Sequence, residues 1–114
     1  MIIYLKNKHS LVIDDFHFKC CIGKKGISKK KREGDKKTPE GSFGIENLYY
    51  RPDRIKKPST KMKCIRITKN MGWCDDPLDN KNYNKLITIK KKVKYEKLYR
   101  KDNKYDFLIP ISYN

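Results

Sequence analysis

A chain of 114 residues has room for one core of ordinary size and excludes two independent ones. Lys and Arg number 29 against 13 Asp and Glu, a formal charge of +16, while hydrophobic residues make up only 37%. That composition borders on the disordered class, but 8 Tyr, 4 Phe and 1 Trp beside short β-branched runs point to a small, basic, folded domain.

The first elements read as a β-meander. Residues 2–5 and 11–13 flank a polar turn at 6–10, and then Phe16, Phe18, Cys20 and Ile22 alternate with His17, Lys19 and Cys21 at period two. Three strands with one buried face are expected. Residues 23–41 carry Gly23, Gly26, Gly34, Gly41 and Pro39 among Lys24, Lys25, Lys29, Lys30, Lys31, Arg32, Lys36 and Lys37, which predicts a long exposed loop shaped by glycine turns. Phe43, Ile45 and the pair Tyr49-Tyr50 predict a strand that leads into a Pro-marked segment at 51–58, and residues 64–68 predict another. Residues 70–77, which hold the single tryptophan, Trp73, read as turn-rich. In residues 90–100, Tyr95, Leu98 and Tyr99 cluster at helical spacing, with Val93, Lys97 and Arg100 on another side, and predict one short helix. Residues 105–113 read as an apolar strand in which Pro110 removes a ladder donor, favouring an edge or a bulge.

The apolar runs are far shorter than the roughly 20 residues of a membrane-spanning helix. Neither a longer apolar core nor a small-residue cleavage site follows Met1-Ile2-Ile3-Tyr4-Leu5, so the sequence as it stands is expected to stay in the cytosol with Cys20, Cys21, Cys64 and Cys74 reduced. These cysteines form no Cys-x-x-Cys pair, and His9 and His17 lie far in sequence from Cys64 and Cys74, so no metal site and no cofactor are expected. The charge is compatible with a nucleic-acid surface, because Lys and Arg release phosphate counterions and tyrosines stack on bases. An AT-rich coding sequence gives the same excess of Lys, Asn, Ile and Tyr, and neither a recognition helix nor zinc-finger spacing is present, so nucleic acid is not the favoured partner. A non-enzymatic basic module for nucleic acid or an anionic wall polymer is the alternative reading.

Cys74 sits between Trp73 and Asp75-Asp76, where two adjacent carboxylates disfavour a thiolate, and Cys20 and Cys21 have no base unless His9 or His17 approaches through the meander. Asp75-Asp76 and Glu33 with Asp35 could act as acid/base groups or ligands of a hard cation. Asp-Asp-Pro is more often a turn whose carboxylates accept backbone N–H bonds.

The block Lys31-Arg32-Glu33-Gly34-Asp35-Lys36-Lys37-Thr38-Pro39-Glu40-Gly41-Ser42-Phe43 resembles the Glu-Gly-Asp, Thr-Pro-x-Gly-x-Phe signature of YkuD-like L,D-transpeptidase catalytic domains. Gly72-Trp73-Cys74-Asp75-Asp76-Pro77, Tyr83-Asn84, Glu96-Lys97-Leu98-Tyr99-Arg100, Tyr105-Asp106 and Tyr113-Asn114 follow in the order of one branch of that family, so the resemblance covers essentially the whole chain. It implies a mainly β fold, present here as a single, truncated catalytic domain over 1–114, and peptidoglycan stem peptides as partners. In such enzymes a cysteine thiolate attacks the L-to-D peptide bond of a stem peptide, and an amine of a second stem takes the acyl group. The family's histidine and the later Ser/Thr-x-Gly-Cys come from a C-terminal segment, and no Gly-Cys occurs here. No catalytic role therefore transfers to any residue, and the chain alone is expected to be inactive. What the resemblance transfers is a contribution to the substrate cleft from Thr38, Trp73, Asp75, Asp76 and Arg100. Gly34 and Gly41 are instead expected to serve backbone turns, since only glycine adopts positive φ without strain. If further strands of the sheet are missing, residues 107–113 form an unpaired apolar edge, which predicts low stability and aggregation. The family works on the wall, outside the cytosolic membrane.

Overall fold

The computed structural model describes residues 1–29 and 32–113; Lys30, Lys31 and Asn114, which belong to the basic loop and to the sequence blocks above, lie outside them. Contacts divide the chain into two compact units, Met1–Ser42 and Phe43–Asn114.

In the first unit β1 (Ile3–Asn7), β2 (Ser10–Ile13) and β3 (Phe16–Lys19) form the expected antiparallel meander in the order β1-β2-β3. The register sets Ile3, Ile13 and Phe16 in one row and Leu5, Leu11 and Phe18 in the next row of the same face. The expectation of a buried face is corrected, since Phe16 is 68% exposed and Phe18 49%. Period-two alternation fixes which side chains share a face, but it does not say what covers that face.

The basic loop is more ordered than its composition predicts. β4 (Ile27–Ser28) and β5 (Thr38–Pro39) pair in parallel inside it. Between them the Asp35 carboxylate accepts the Arg32 N–H at 2.6 Å and the Lys37 N–H at 2.9 Å. Gly34 and Gly41 take φ of 75° and 141°, the turn role expected of them.

The second unit contains β6 (Asn47–Tyr50), β7 (Lys63–Arg66), β8 (Met71–Cys74), β9 (Leu86–Thr88), β10 (Tyr95–Lys97) and β11 (Phe107–Leu108). One sheet has the order β11-β6-β7, with β6 and β7 parallel and β11 antiparallel to β6; the other is antiparallel in the order β10-β8-β9. Tyr49, Ile67 and Leu98 are the buried centre of this unit, and Ile65, Met71, Trp73, Leu86, Tyr99, Tyr105 and Leu108 pack against them.

The fold is mainly β, and among the described residues no helix forms. The predicted helix over 90–100 is a turn followed by β10. Lys90, Lys91, Lys92 and Lys94 would repel one another on a helical surface. As a strand, Tyr95, Glu96 and Lys97 instead pair with Cys74, Trp73 and Gly72 of β8. The turn-rich reading of 70–77 is corrected as well, because Met71–Cys74 is the central strand of its sheet. Gly72 hid that strand from the sequence pattern. A Cβ there would lie 3.0 Å from the Tyr95 ring and 3.3 Å from Ile89 Cγ1, so the glycine lets those two side chains close over the strand. The strand predicted at 105–113 is only β11 plus an isolated bridge from Ile111 to Ile45, interrupted at Pro110 as that residue's missing N–H requires.

Leu98→Ala or Ile67→Ala is expected to lower the unfolding free energy by about 3 kcal/mol through a buried cavity, whereas Phe16→Ala costs less than about 1 kcal/mol. Urea denaturation of the three variants checks this ordering, and equal losses would contradict it.

Candidate functional site

Four pieces of the second unit meet at one cleft of about 400 Å³. β8 contributes Trp73, the approach to β9 contributes Tyr83, Asn84 and Lys85, and the start of β6 contributes Glu46, Asn47 and Tyr49. The remaining wall is residues 110–113, which the Ile111–Ile45 bridge and the Ser112 N–H donated to the Gly44 carbonyl (2.9 Å) hold beside β6. The Tyr113 ring meets Phe43 edge-on, with centroids 5.5 Å apart.

Trp73 is fixed from both ends. Its position on β8 pairs it with Leu86 on one side and Glu96 on the other. Its indole Nε1–H donates to Asn84 Oδ1 at 2.8 Å. Asn84 has φ of 58°, a left-handed conformation that asparagine tolerates better than most residues, and its backbone N–H donates to the Cys74 carbonyl at 2.8 Å. The loop from 75 to 85 therefore returns its asparagine to the tryptophan one position before the end of β8.

Asp76 serves that loop. Its carboxylate accepts the Leu78 N–H at 3.0 Å, and its carbonyl accepts the Asp79 N–H at 3.1 Å, which is the turn expected of Asp-Asp-Pro. Asp79 repeats the device with the N–H and side-chain amide of Asn82, and those bonds hold its carboxyl below the usual range. The half-buried Asp75 carboxylate makes no hydrogen bond or ion pair among the described residues.

Arg100 pairs with Asp102 through Nε and Nη2, at 2.7 Å for the closest contact. That guanidinium, helped by the Lys104 N–H, holds the Asp102 carboxyl at about 2. The carbonyl of Arg100 accepts from Arg51 Nη1 at 2.6 Å and from Arg54 Nη2 at 3.0 Å, so this residue is tied into the scaffold by both ends. Nearby, Lys104 Nζ lies 2.8 Å from Glu96 Oε1. Burial would raise the Glu96 carboxyl, but Lys104 and the Tyr105 hydroxyl outweigh it and lower it. Burial, reinforced by Glu96, raises the Tyr105 phenol.

Of the residues expected at a substrate cleft, Trp73 lines this one, while Asp75, Asp76 and Arg100 lie elsewhere in the same unit. Thr38 belongs to the first unit, where its hydroxyl accepts the Gly23 N–H at 2.7 Å. Glu46, Asn47 and Lys85 carried no signal in the sequence, whereas Tyr83, Asn84 and Tyr113 stand in the sequence blocks quoted above without a role of their own. Neither a thiol nor an imidazole lines the cleft. Cys74 is fully buried, and no group of three or more His, Cys, Asp or Glu is placed to hold a metal among the described residues. The walls combine aromatic faces with amide, carboxylate and ammonium side chains, the composition of a ligand-binding cleft. Among the described residues no helix is long and apolar enough to cross a membrane.

The family model described as YkuD, L,D-transpeptidase catalytic domain, matches residues 1–109. No curated protein and no solved structure matches the chain.

Two outcomes follow from the bonds described. Because the folded Asp102 carboxyl sits at about 2, against about 4 in an unfolded chain, its contribution is complete above pH ~4 and disappears as pH falls toward 2. Melting temperatures taken from pH 5 to pH 2 should therefore fall less steeply in Asp102→Asn than in the parent. Asn84→Gly loses the indole bond, worth about 1 kcal/mol, while Asn84→Ala also meets left-handed strain of about 1–2 kcal/mol. Urea midpoints should place Ala below Gly.

Proposed function

Because the chain belongs to the YkuD family of L,D-transpeptidase catalytic domains, we propose that it serves peptidoglycan cross-linking by acyl transfer, as the part that holds the wall polymer. The observation that carries the proposal is the family match over 1–109, joined to a formed cleft lined by neither a thiol nor an imidazole. Transfer requires a thiolate, a base that generates it and backbone donors for the tetrahedral oxyanion. The placement of Cys64 and Cys74 supports assigning none of those tasks to the second unit, which carries the cleft. Cys74 is sealed from solvent, Cys64 directs its Sγ toward the Met62 carbonyl at 3.6 Å, and the second unit contains no histidine.

Among the residues proposed at the substrate, Trp73 offers a fixed aromatic wall and Asp75 an unpaired carboxylate able to meet a stem-peptide amine. Thr38, Asp76 and Arg100 are proposed to act through the loops they hold, since each already spends its polar atoms on backbone or carboxylate partners.

Incubating the purified chain with a stem tetrapeptide and an acceptor amine, followed by mass spectrometry, should show no cross-linked and no hydrolysed product. In parallel, the chain should co-sediment with peptidoglycan in 0.5 M salt, where attraction of exposed charges is screened within about 4 Å. Turnover that Cys74→Ala abolishes would overturn the non-catalytic assignment, and release from the wall at that salt would favour charge alone.

A further inference from the structure

We infer that the Trp73 cleft takes an N-acetylated aminosugar ring of the glycan strand and leaves the stem peptide to other surfaces. This rests on the reading of the chain as a peptidoglycan-binding part, and it names the portion of the polymer that the cleft grips.

The lining chemistry points to a sugar. Trp73, Tyr83 and Tyr113 supply aromatic walls, and Tyr49 lies at the buried side. An aromatic face carries negative charge density and attracts the weakly positive C–H face of a pyranose ring. Trp73 is suited to this because its one donor is already used on Asn84, so its ring is both oriented and polar-satisfied. Beside these walls stand two amides. Asn47 makes no side-chain hydrogen bond among the described residues, and the Asn84 NH₂ is left over once Oδ1 has accepted the indole. Hydroxyls and an acetamido group match amide donors and acceptors in number and length.

Charge argues the same way. The chain carries +16, yet this cleft is lined by one carboxylate, Glu46, and one ammonium, Lys85, whose Nζ is turned to the Lys81 carbonyl at 3.1 Å. An acidic stem peptide gains more from almost any other part of such a surface, whereas a neutral ring is held by stacking and hydrogen bonds where the field is balanced. The volume of about 400 Å³ is near the low end of ligand pockets and is enough for a ring with its substituents.

Trp73 is the single tryptophan, so its emission reads the cleft directly. Titrating the full chain with chitotriose should give a saturable change in emission with about millimolar affinity that persists in 0.5 M salt and weakens at least about fivefold in Asn84→Gly. Circular dichroism of that variant shows whether it is folded, and Asn47→Ala gives an independent second variant with the same expected loss. Maltotriose, which lacks the acetamido group, should bind at least about fivefold more weakly. An equal response to maltotriose would overturn the assignment, as would unchanged binding in both variants. A saturable response to stem tetrapeptide with none to chitotriose would also overturn it while leaving the wall-binding function intact. If neither probe moves the emission, the sugar assignment falls; loss of salt-resistant sedimentation with peptidoglycan is what separately removes the function.

Discussion

The second unit depends on one buried cation. Arg51 closes β6, is 3% exposed, and lays its guanidinium 3.7 Å over the centre of the Tyr99 ring. Its Nε and Nη2 form a fork on Asp53 at 2.9 and 2.8 Å, and its Nη1 takes the Arg100 carbonyl. Each guanidinium nitrogen that burial removes from water thereby has a partner, which is the condition for a charge to be stabilising inside a protein. The Asp53 bond leads in raising the Arg51 guanidinium, and the same contact lowers the Asp53 carboxyl. Arg54, one turn later, collects the carbonyls of Arg100, Lys101 and Asp102 and the Asp106 carboxylate. Together the two arginines fasten residues 100–106 to the end of β6, and from there β11 runs back along Tyr49 and Tyr50. The wall of the cleft at 110–113 continues directly from that strand.

Parts of this architecture are legible in the residues themselves. The meander of residues 3–19 announces itself because a short polar turn separates alternating apolar runs, and a two-strand register has few ways to satisfy them. Asn47–Tyr50 is visible through the adjacent aromatics Tyr49 and Tyr50, and Lys63–Arg66 through Ile65 and the nearby Ile67. What fails is any element whose reason lies elsewhere in the chain. Gly72 looks like a breaker until Tyr95 and Ile89 are seen to occupy the space a side chain would need. Tyr95, Leu98 and Tyr99 look helical until the lysine run before them is weighed and β8 is found to offer a ladder. Phe16 and Phe18 look like core residues because alternation is a statement about direction, and cover is a property of the whole fold.

The cleft was legible in one residue. Trp73 attracts notice as the lone tryptophan in a block shared with a known family, and the family match over 1–109 agrees with that block. Asn84 stands in a quoted block as well, but its function depends on a left-handed backbone and an eleven-residue return that no local pattern encodes. Glu46, Asn47 and Lys85 are ordinary polar residues by sequence and become neighbours only through the β6 and β9 positions that carry them. Conversely, Asp76 and Arg100 stand out in the sequence blocks, and in the structure their side chains hold loops outside the cleft.

The exposed row of Phe16 and Phe18 has a colloidal consequence. β3 bonds to β2 on one side, and its other edge carries backbone donors and acceptors beside two phenyl rings 6.5 Å apart. Such an edge is a template for a neighbouring strand, and mutual repulsion between molecules of high positive charge keeps copies from exploiting it. Long-range electrostatic repulsion is thus set against short-range forces that would make the surface adhesive. Multivalent anions, which quench the former and leave the latter untouched, turn the same molecule from a dispersed species into a self-associating one.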